Sequence, residues 1–214
     1  SLWEAAMFGK IEAAKKAIAD GADVNAKKDD GETPLHSAVV AALDSGDKEV
    51  VELLITNGAD VNAKVVSGRK QGMTPLDAAN VVAKFSPLPT TVKNLSNITA
   101  LLRKHGGKTG EELKAERALF NAARKGSINT VRQHLAAGTD VNAKDKFRST
   151  PLHLARTKEI AELLIAKGAD VNAKDAIGKT PLDWAIKDRR TFVGHLLHYK
   201  HGGKTGEELK AEGK

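Results

Sequence analysis

The sequence GADVNAK, at residues 21–27, sets the period of this chain. It returns unchanged at residues 58–64 and 168–174, and the variant GTDVNAK stands at residues 138–144. A glycine in this position suits the left-handed cap that ends a helix. A unit copied this often predicts a repeat protein, in which each copy buries its apolar face only by stacking against its neighbours.

A second phrase follows each of the four copies, and it reads TPLH twice and TPLD twice. Its threonine can cap a helix whose first residue is the proline, where the missing N–H costs nothing. The two histidines of this phrase, His36 and His153, are predicted to be structural. The phrase therefore predicts four inner helices, which begin at Pro34, Pro75, Pro151 and Pro181.

Together the two phrases resemble the ankyrin repeat, a unit of about 33 residues with one turn and two helices. The resemblance covers nearly the whole chain. It implies an all-α solenoid of about six helix-turn-helix repeats with short β-turn fingers. The wording GADVNAKD and the phrase HGGKTGEELKAE look like bacterial ankyrin proteins, some of which act inside host cells. Near-uniform repeats are also what consensus engineering produces, whereas the insertions favour a natural origin.

The phrase HGGKTGEELKAE occurs at residues 105–116 and again at 201–212. We therefore predict two modules of three repeats each, residues 1–115 and 116–214. The opening of the second module matches that of the first, and the aromatic residue at the matching position of each opening is predicted to anchor its core. These two residues are Trp3 and Phe120.

The capping-box spacing of Thr109 and Glu112 predicts a helix from about Thr109 into Arg124. The alternative is that this helix breaks off near Glu116, and the sequence leaves both open.

Departures from the family spacing divide between the modules. The first module has insertions near residues 41–47, 65–71 and 84–94, which predict a longer turn between helices, an enlarged finger and a proline-interrupted segment. The fifth repeat is instead short, because His153 to Leu163 is about three residues less than the usual distance. The residues after its TPLH phrase must turn at once into the next helix.

No pattern of residues predicts catalysis, a cofactor or a metal site. The chain has no cysteine, and none of its GlyLysThr sequences has the leading glycine of a phosphate-binding loop. His195, His198 and His201 follow one another at helical spacing, but they lack nearby carboxylates, and a helix C-terminus favours histidine anyway. The four asparagines of the GADVNAK copies are predicted to bond the backbone within their own turns.

The net charge of +7 belongs entirely to the second module. Residues 1–115 contain fifteen Lys or Arg and fifteen Asp or Glu, whereas residues 116–214 contain nineteen and twelve. At the ends of its inner helices the second module is predicted to form a basic stripe, with a solvated face as the alternative. The stripe consists of Arg124, Lys125, Arg156, Lys158, Lys187, Arg189 and Arg190.

The resemblance implies a non-catalytic scaffold that binds another protein, one of acidic character for the second module, through finger tips and inner helices. The second hypothesis is an anionic surface or nucleic acid on the basic stripe, ranked lower because only Phe147 and Tyr199 supply aromatic rings near it. We expect a monomer in the cytoplasm, with delivery into a host cell as a further option, and no membrane span. The expected contact residues are Asp29, Asp30, Glu32, Lys70, Gln71, Met73, Lys146, Phe147, Arg148, Ser149, Ala176, Ile177 and Lys179.

Overall fold

A computed structural model describes residues 1–85 and 89–213. Those residues form helices and turns and no strand, so the predicted all-α fold is confirmed. The chain separates into two compact units, Ser1–Glu111 and Glu112–Lys214. The boundary falls within one continuous helix, α7 (Gly110–Lys125), so the predicted helix does not break near Glu116.

The first unit holds three helix pairs. They are α1 Leu2–Met7 with α2 Ile11–Ala19, α3 Pro34–Ser45 with α4 Glu49–Thr56, and α5 Pro75–Phe85 with α6 Pro89–Lys104. Aliphatic side chains from all three pairs form one buried core, whose largest members are Leu35, Leu43, Leu54, Leu76, Ile98 and Leu102. Trp3 does not anchor this core as predicted, because it is half-buried under Lys28 Nζ, 4.3 Å from its ring centroid.

The second unit has its own core, to which Leu119, Leu152, Ile160, Leu164 and Leu197 contribute. Phe120 is buried, but it is not among the side chains that form this core. After α7 the elements are α8 Ile128–Ala136, a 3₁₀ turn Pro151–Leu154, α9 Lys158–Ala166, α10 Pro181–Lys187, α11 Thr191–His195, a π turn Leu196–Lys200 and α12 Gly206–Ala211.

The fifth repeat differs from its prediction in the length of its inner helix. The predicted helix at Pro151 is only the four-residue 3₁₀ turn. Thr157 follows three residues later in extended conformation, and its side chain caps α9 by accepting the N–H of Ile160. Because the deletion brings this cap so close, the inner helix has no residues left with which to continue.

The insertions of the first unit lengthen helices and a finger. Residues 41–47 extend α3 to Ser45 rather than enlarging a turn, and Gly46 ends the helix at a φ of +79°. Residues 65–71 enlarge the finger, where Val65 and the backbone of Met73 and Gly72 exchange hydrogen bonds. The insertion at residues 84–94 lies partly outside the described residues, at 86–88, and its Pro89 is the first residue of α6.

The asparagines of the GADVNAK copies bond across repeats, not within their own turns as predicted. Asn25 Nδ2–H donates to the carbonyl of Gly58 at 2.9 Å, and its Oδ1 accepts the N–H of Asp60 at 2.7 Å. Asn142 makes the same two bonds to Gly168 and Asp170. Each such amide supplies one donor and one acceptor, so it fixes one turn against the next.

The phrase HGGKTGEELKAE docks on the repeat before it in the same way in each unit. In the first unit, Asp77 Oδ2 accepts the N–H of Gly110 at 2.7 Å, and Thr74 Oγ1–H donates to the carbonyl of Lys108 at 2.7 Å. In the second unit, Asp183 and Thr180 make the matching bonds to Gly206 and Lys204. An acceptor is needed here, which explains why TPLD rather than TPLH precedes this phrase.

Where another finger follows in place of HGGKTGEELKAE, the histidine of TPLH links the two repeats as a hydrogen-bond donor. His36 Nδ1 accepts the N–H of Thr33, which leaves the ring proton on Nε2 for the carbonyl of Met73 at 3.4 Å. His153 bonds Thr150 and the carbonyl of Lys179 in the same way. Both histidines therefore link successive repeats.

Candidate functional site

The finger tips of the second unit are held rigidly and expose apolar side chains. Asp145 Oδ1 accepts the N–H groups of Phe147 and Ser149 at 2.8 and 2.9 Å. The Phe147 carbonyl in turn accepts the N–H of Ala176 at 2.8 Å, which joins this finger to the next. Phe147 is nevertheless 60% exposed and Ile177 is 75% exposed. The fold thus fixes the backbone of two large apolar residues that no core needs.

Cationic side chains surround these tips. Lys146 and Arg148 are exposed, and Lys146 Nζ lies 4.8 Å from the centroid of the Phe147 ring. Arg148 has a φ of +59°, a region that non-glycine residues rarely occupy outside tight turns. Ala176 is also exposed and Lys179 is half-buried. Ser149 is buried, so its side chain does not belong to the exposed contact surface that the sequence predicted.

The fingers of the first unit carry paired charges. Glu32 is half-buried between two lysines, with Lys70 Nζ at 2.5 Å and Lys28 Nζ at 3.7 Å. Asp29 and Gln71 are exposed, whereas Asp30 and Met73 are half-buried. Of the three acidic residues in this first finger, Asp29, Asp30 and Glu32, it is Glu32 that the lysines neutralise.

The basic stripe lies along a cleft in the second unit. The cleft has a volume of about 980 Å³, in the range of sites that hold small ligands or peptide side chains. Five of the seven stripe residues line it, while Lys125 and Lys187 do not. The five are Arg124, Arg156, Lys158, Arg189 and Arg190.

Arg190 is a structural member of this group. Its side chain is only 13% exposed. Its guanidinium donates to the carbonyl of Ala155, the residue after the 3₁₀ turn, at 2.7 Å and to the carbonyl of His153, within the turn, at 2.9 Å. Burial lowers the pKa of Arg190. The carboxylate of Asp188, 3.3 Å from the guanidinium, opposes that shift. Arg190 therefore supports the fold and does not belong to a solvated face.

Aromatic side chains line the same cleft, and no pattern in the sequence indicated the exposure of Phe192. Phe192, at the start of α11, is 79% exposed, and Trp184 is half-buried in α10. The Trp184 indole N–H donates to Asp175 Oδ2 at 2.8 Å, and Lys187 Nζ lies 4.3 Å from its ring centroid. The short fifth repeat was the available signal, since an absent helix turn leaves residues of the next repeat uncovered.

Asp175 holds the Trp184 indole in place beside the cleft. Burial alone would raise the pKa of its carboxyl, but hydrogen bonds from the Trp184 indole and from the backbone N–H groups of Lys179 and Ile177 outweigh burial and lower it. The carboxylate thus remains ionised and holds the finger and the indole together.

The histidines near the chain end lie apart from this cleft. His195 ends α11, and His198 lies in the π turn with its Nδ1 3.2 Å from the carbonyl oxygen of Gly203. Among residues 1–85 and 89–213, no three His, Asp or Glu side chains are grouped so that they could hold a metal ion. Across the same residues, every helix is too short or too polar to cross a membrane.

Comparison with known proteins places the repeats in context. A family model described as "Ankyrin repeats (3 copies)" matches residues 2–83 and 119–206. The mouse "B-cell lymphoma 3 protein homolog" is 29% identical over 150 residues, which cover 69% of this chain and 29% of that protein. Human "Rabankyrin-5" is 27% identical over 154 residues, 71% of this chain and 12% of that protein. The aligned region thus spans less than a third of either relative, and because both are mammalian they give no support to a bacterial type.

Proposed function

The chain belongs to the ankyrin-repeat family, and on that premise we propose that it is a non-catalytic scaffold that holds a partner protein on its finger tips and inner helices. Proteins of this family expose these surfaces along their stacks. Each unit of this chain carries its own set of fingers, and the two sets differ in charge. The proposal is thus that the fingers of each unit contact protein, with the second unit preferring acidic surfaces.

The observation that carries this proposal is the exposure of Phe147 and Ile177 on a backbone that is already ordered. A binding surface gains most from large apolar or aromatic groups that lose little freedom on association. Asp145 and Asp175 hold these two finger backbones through hydrogen bonds to N–H groups. Lys146 and Arg148 add positive charge around the ring. Such a tip suits an apolar patch bordered by carboxylates.

The test is capture of partner proteins from the source cell by the immobilised full chain, with and without changed finger tips. The variant combines Lys146→Ala, Phe147→Ala and Ile177→Ala, all at exposed positions. A matched control changes Arg132 and Gln133, exposed on α8, to alanine. We expect the finger variant to lose at least roughly tenfold in captured partner, since truncating a central contact of this kind costs about 2 kcal/mol or more.

Equal capture by the finger variant and the control would contradict the proposal. Circular dichroism of both variants shows whether the helices are intact, so that loss of capture is not confused with loss of fold. The monomeric state and the cytoplasmic location stay predictions from the sequence.

A second candidate, binding of an anionic surface or nucleic acid, is supported by one observation. Five cationic side chains line a single cleft together with two aromatic rings. Basic grooves with stacking rings are what single-stranded nucleic acids bind. The ligand of this cleft can be defined further from its own geometry.

A further inference from the structure

We propose that the cleft of the second unit binds an acidic peptide segment that carries an aromatic or large aliphatic side chain. This inference rests on the proposed function, because it takes the ligand to be part of a partner protein. The ligand site lies within one unit, it results from the short fifth repeat, and its lining defines the chemistry of the ligand.

The cleft exists because the fifth repeat is short. In the second repeat the inner helix α3 runs for 12 residues, whereas the matching element of the fifth repeat stops after 4. The missing turns would have lain between the end of α7 and the α10–α11 pair. Residues from those elements and from the tight turn at Arg156 and Thr157 line the space instead.

The charges at the cleft are only partly neutralised within the protein. Two carboxylates, Glu159 and Asp188, accompany the five cations, and Asp188 is paired with Arg190. Within residues 1–85 and 89–213, Arg124, Arg156 and Arg189 form no salt bridge. Several like charges held at fixed positions around a concave surface raise the local potential and attract groups of opposite charge. Carboxylates of a partner suit this arrangement.

Arg190 adds a hydrogen-bond donor that the protein itself leaves unused. Its two terminal nitrogens bond the carbonyls of the shortened turn, but its Nε–H is buried and has no partner in the described part of the chain. Buried donors in native proteins nearly always find an acceptor. Because this N–H is shielded from solvent, an acceptor from a bound peptide would reach it only if the surrounding side chains shift.

The apolar part of the cleft explains why the ligand should be more than a charge. Leu154, Trp184, Phe192 and Val193 line it alongside the cations. Phe192 is 79% exposed although it is the second residue of a helix that packs into the core through Val193. An inserted aromatic or aliphatic side chain would cover this ring and remove it from water.

The same geometry favours a peptide over a nucleic acid. A single strand binds along a positively charged groove over several nucleotides. Here the described cations gather around one cleft of about 980 Å³, and two carboxylates stand among them. A run of phosphates would pass close to the carboxylates of Glu159 and Asp188 and be repelled by them. A peptide can instead place its few acidic side chains beside the arginines and away from these carboxylates.

The test uses the full chain with Trp3→Phe, so that Trp184 is the only tryptophan. The probe is a short fluorescein-labelled peptide in which glutamates flank one central phenylalanine. Trp184 fluorescence and the anisotropy of the label should report the same dissociation constant. A peptide with glutamines in place of the glutamates, and one with glycine in place of phenylalanine, should each bind at least roughly tenfold more weakly.

The matched variants separate the cleft from overall charge. The cleft variant combines Arg124→Gln, Arg156→Gln and Arg189→Asn, the last because asparagine tolerates the φ of +55° at that position. The control variant removes three exposed cations elsewhere in the unit, by Arg132→Gln, Lys167→Gln and Lys210→Gln. Arg190 is left unchanged because it supports the fold. We expect the cleft variant to slow association at least roughly tenfold at low salt and the control to change it little.

Equal loss in the cleft and control variants would overturn the proposal, since it would show attraction to net charge alone. Tighter binding of a single-stranded oligonucleotide of equal charge, lost in the cleft variant, would also overturn it in favour of nucleic acid. No peptide binding, with partner capture still dependent on the finger tips, would refute the cleft while the proposed function stands. Peptide binding without finger-dependent capture would support the cleft site and contradict the proposed function of the finger tips.

Discussion

The middle repeats of the two units start alike and end differently. Both begin with a threonine-histidine capping box in which the histidine also reaches the backbone of the next repeat. From that shared start, one unit builds the 12-residue α3 and the other a four-residue 3₁₀ turn. The start of the inner helix and its length are therefore separate features. The first sets the stacking of repeats, and the second sets what surface the stack exposes.

A side chain from the following repeat ends the inner element in both units. In the first unit Asn94 of α6 donates to the carbonyl of Leu43 at 3.0 Å, near the end of α3. In the second unit Arg190 donates to the carbonyls of His153 and Ala155. The last carbonyls of a helix need such partners when they are removed from water. Arg190 thus stabilises the shortened repeat and at the same time lines the cleft that the shortening creates.

The largest expected effect tests the ends of the units, where they are alike. A Cβ at Gly110 or Gly206 would overlap the carbonyl oxygen of Gly72 or Gly178. Backbone atoms cannot move aside cheaply, so we expect each Gly→Ala change to cost about 2–3 kcal/mol of unfolding free energy. Urea unfolding followed by Trp3 fluorescence with Trp184→Phe, and by Trp184 fluorescence with Trp3→Phe, measures each cost separately.

Gly194→Ala is the control for these changes. A Cβ there would meet only the Ala185 side chain at 3.8 Å, an ordinary contact, so this variant should be neutral or slightly stabilising within α11. A large loss at only one of Gly110 and Gly206 would show that the two closing phrases do not dock alike.

The next effect tests the middle repeats, where the units differ. Arg190→Gln removes charged hydrogen bonds to two carbonyls and should cost about 2 kcal/mol, whereas Asn94→Ala removes one neutral bond and should cost about 1 kcal/mol. Arg189→Asn, at the exposed neighbouring position, should change stability by less than about 0.5 kcal/mol. If Arg190→Gln were as mild as Arg189→Asn, the guanidinium would not be supporting the turn.

The architecture followed from the sequence because the repeated phrases encode it locally. A threonine before a proline caps the start of all four inner elements, and a recurring glycine follows the outer helices, so the four starting positions and the all-α fold were predictable. The short fifth repeat was also visible as a deletion. Its consequence was not, because a 3₁₀ turn in place of a helix depends on how close the next cap, Thr157, lies in space.

The candidate site was predicted less completely than the fold. The basic residues at the ends of the inner helices could be read from the sequence, and they include all five cations that line the cleft. The role of Arg190 was missed because its hydrogen-bond acceptors belong to another repeat, 35 and 37 residues away in sequence. Phe192 was missed because its exposure depends on residues that are absent from the chain. The crossing bonds of Asn25 and Asn142 were missed for the same reason as those of Arg190.

A pH titration tests whether the shared histidine contacts act alike in both units. Burial lowers the pKa of His36 and of His153, and their hydrogen bonds to the carbonyls of Met73 and Lys179 only partly oppose this. The unfolded chain therefore binds protons at these sites more readily than the folded one. Their neutral state stabilises the fold at neutral pH, and stability should fall as pH drops below about 6.5, the ordinary histidine value.

The measurement is the unfolding free energy between about pH 7 and pH 5, a range above the ordinary carboxylate pKa values. Replacing His36 and His153 by glutamine should flatten the dependence in the unit that carries the change. A decline that persists undiminished in the double variant would show that other groups cause it.

The smallest effect compares how each unit braces its fingers. In the first unit, Lys70 and Glu32 bridge two fingers by an ion pair whose lysine is largely exposed. In the second, the buried Asp175 accepts the Trp184 indole N–H, a bond within one repeat that ties its finger to its inner helix. Exposed ion pairs contribute little and are screened by salt, so Lys70→Gln should cost about 0.5 kcal/mol or less, and that cost should vanish at 1 M salt.

Trp184→Phe removes a neutral donor to a buried carboxylate and should cost about 1 kcal/mol at either salt concentration. Thermal unfolding at both salt concentrations compares them, with Trp3→Phe as the aromatic control. A cost for Lys70→Gln that equals that of Trp184→Phe and does not change with salt would show that the fingers of the first unit are braced as firmly as those of the second, and that the difference in charge between the units does not extend to their rigidity.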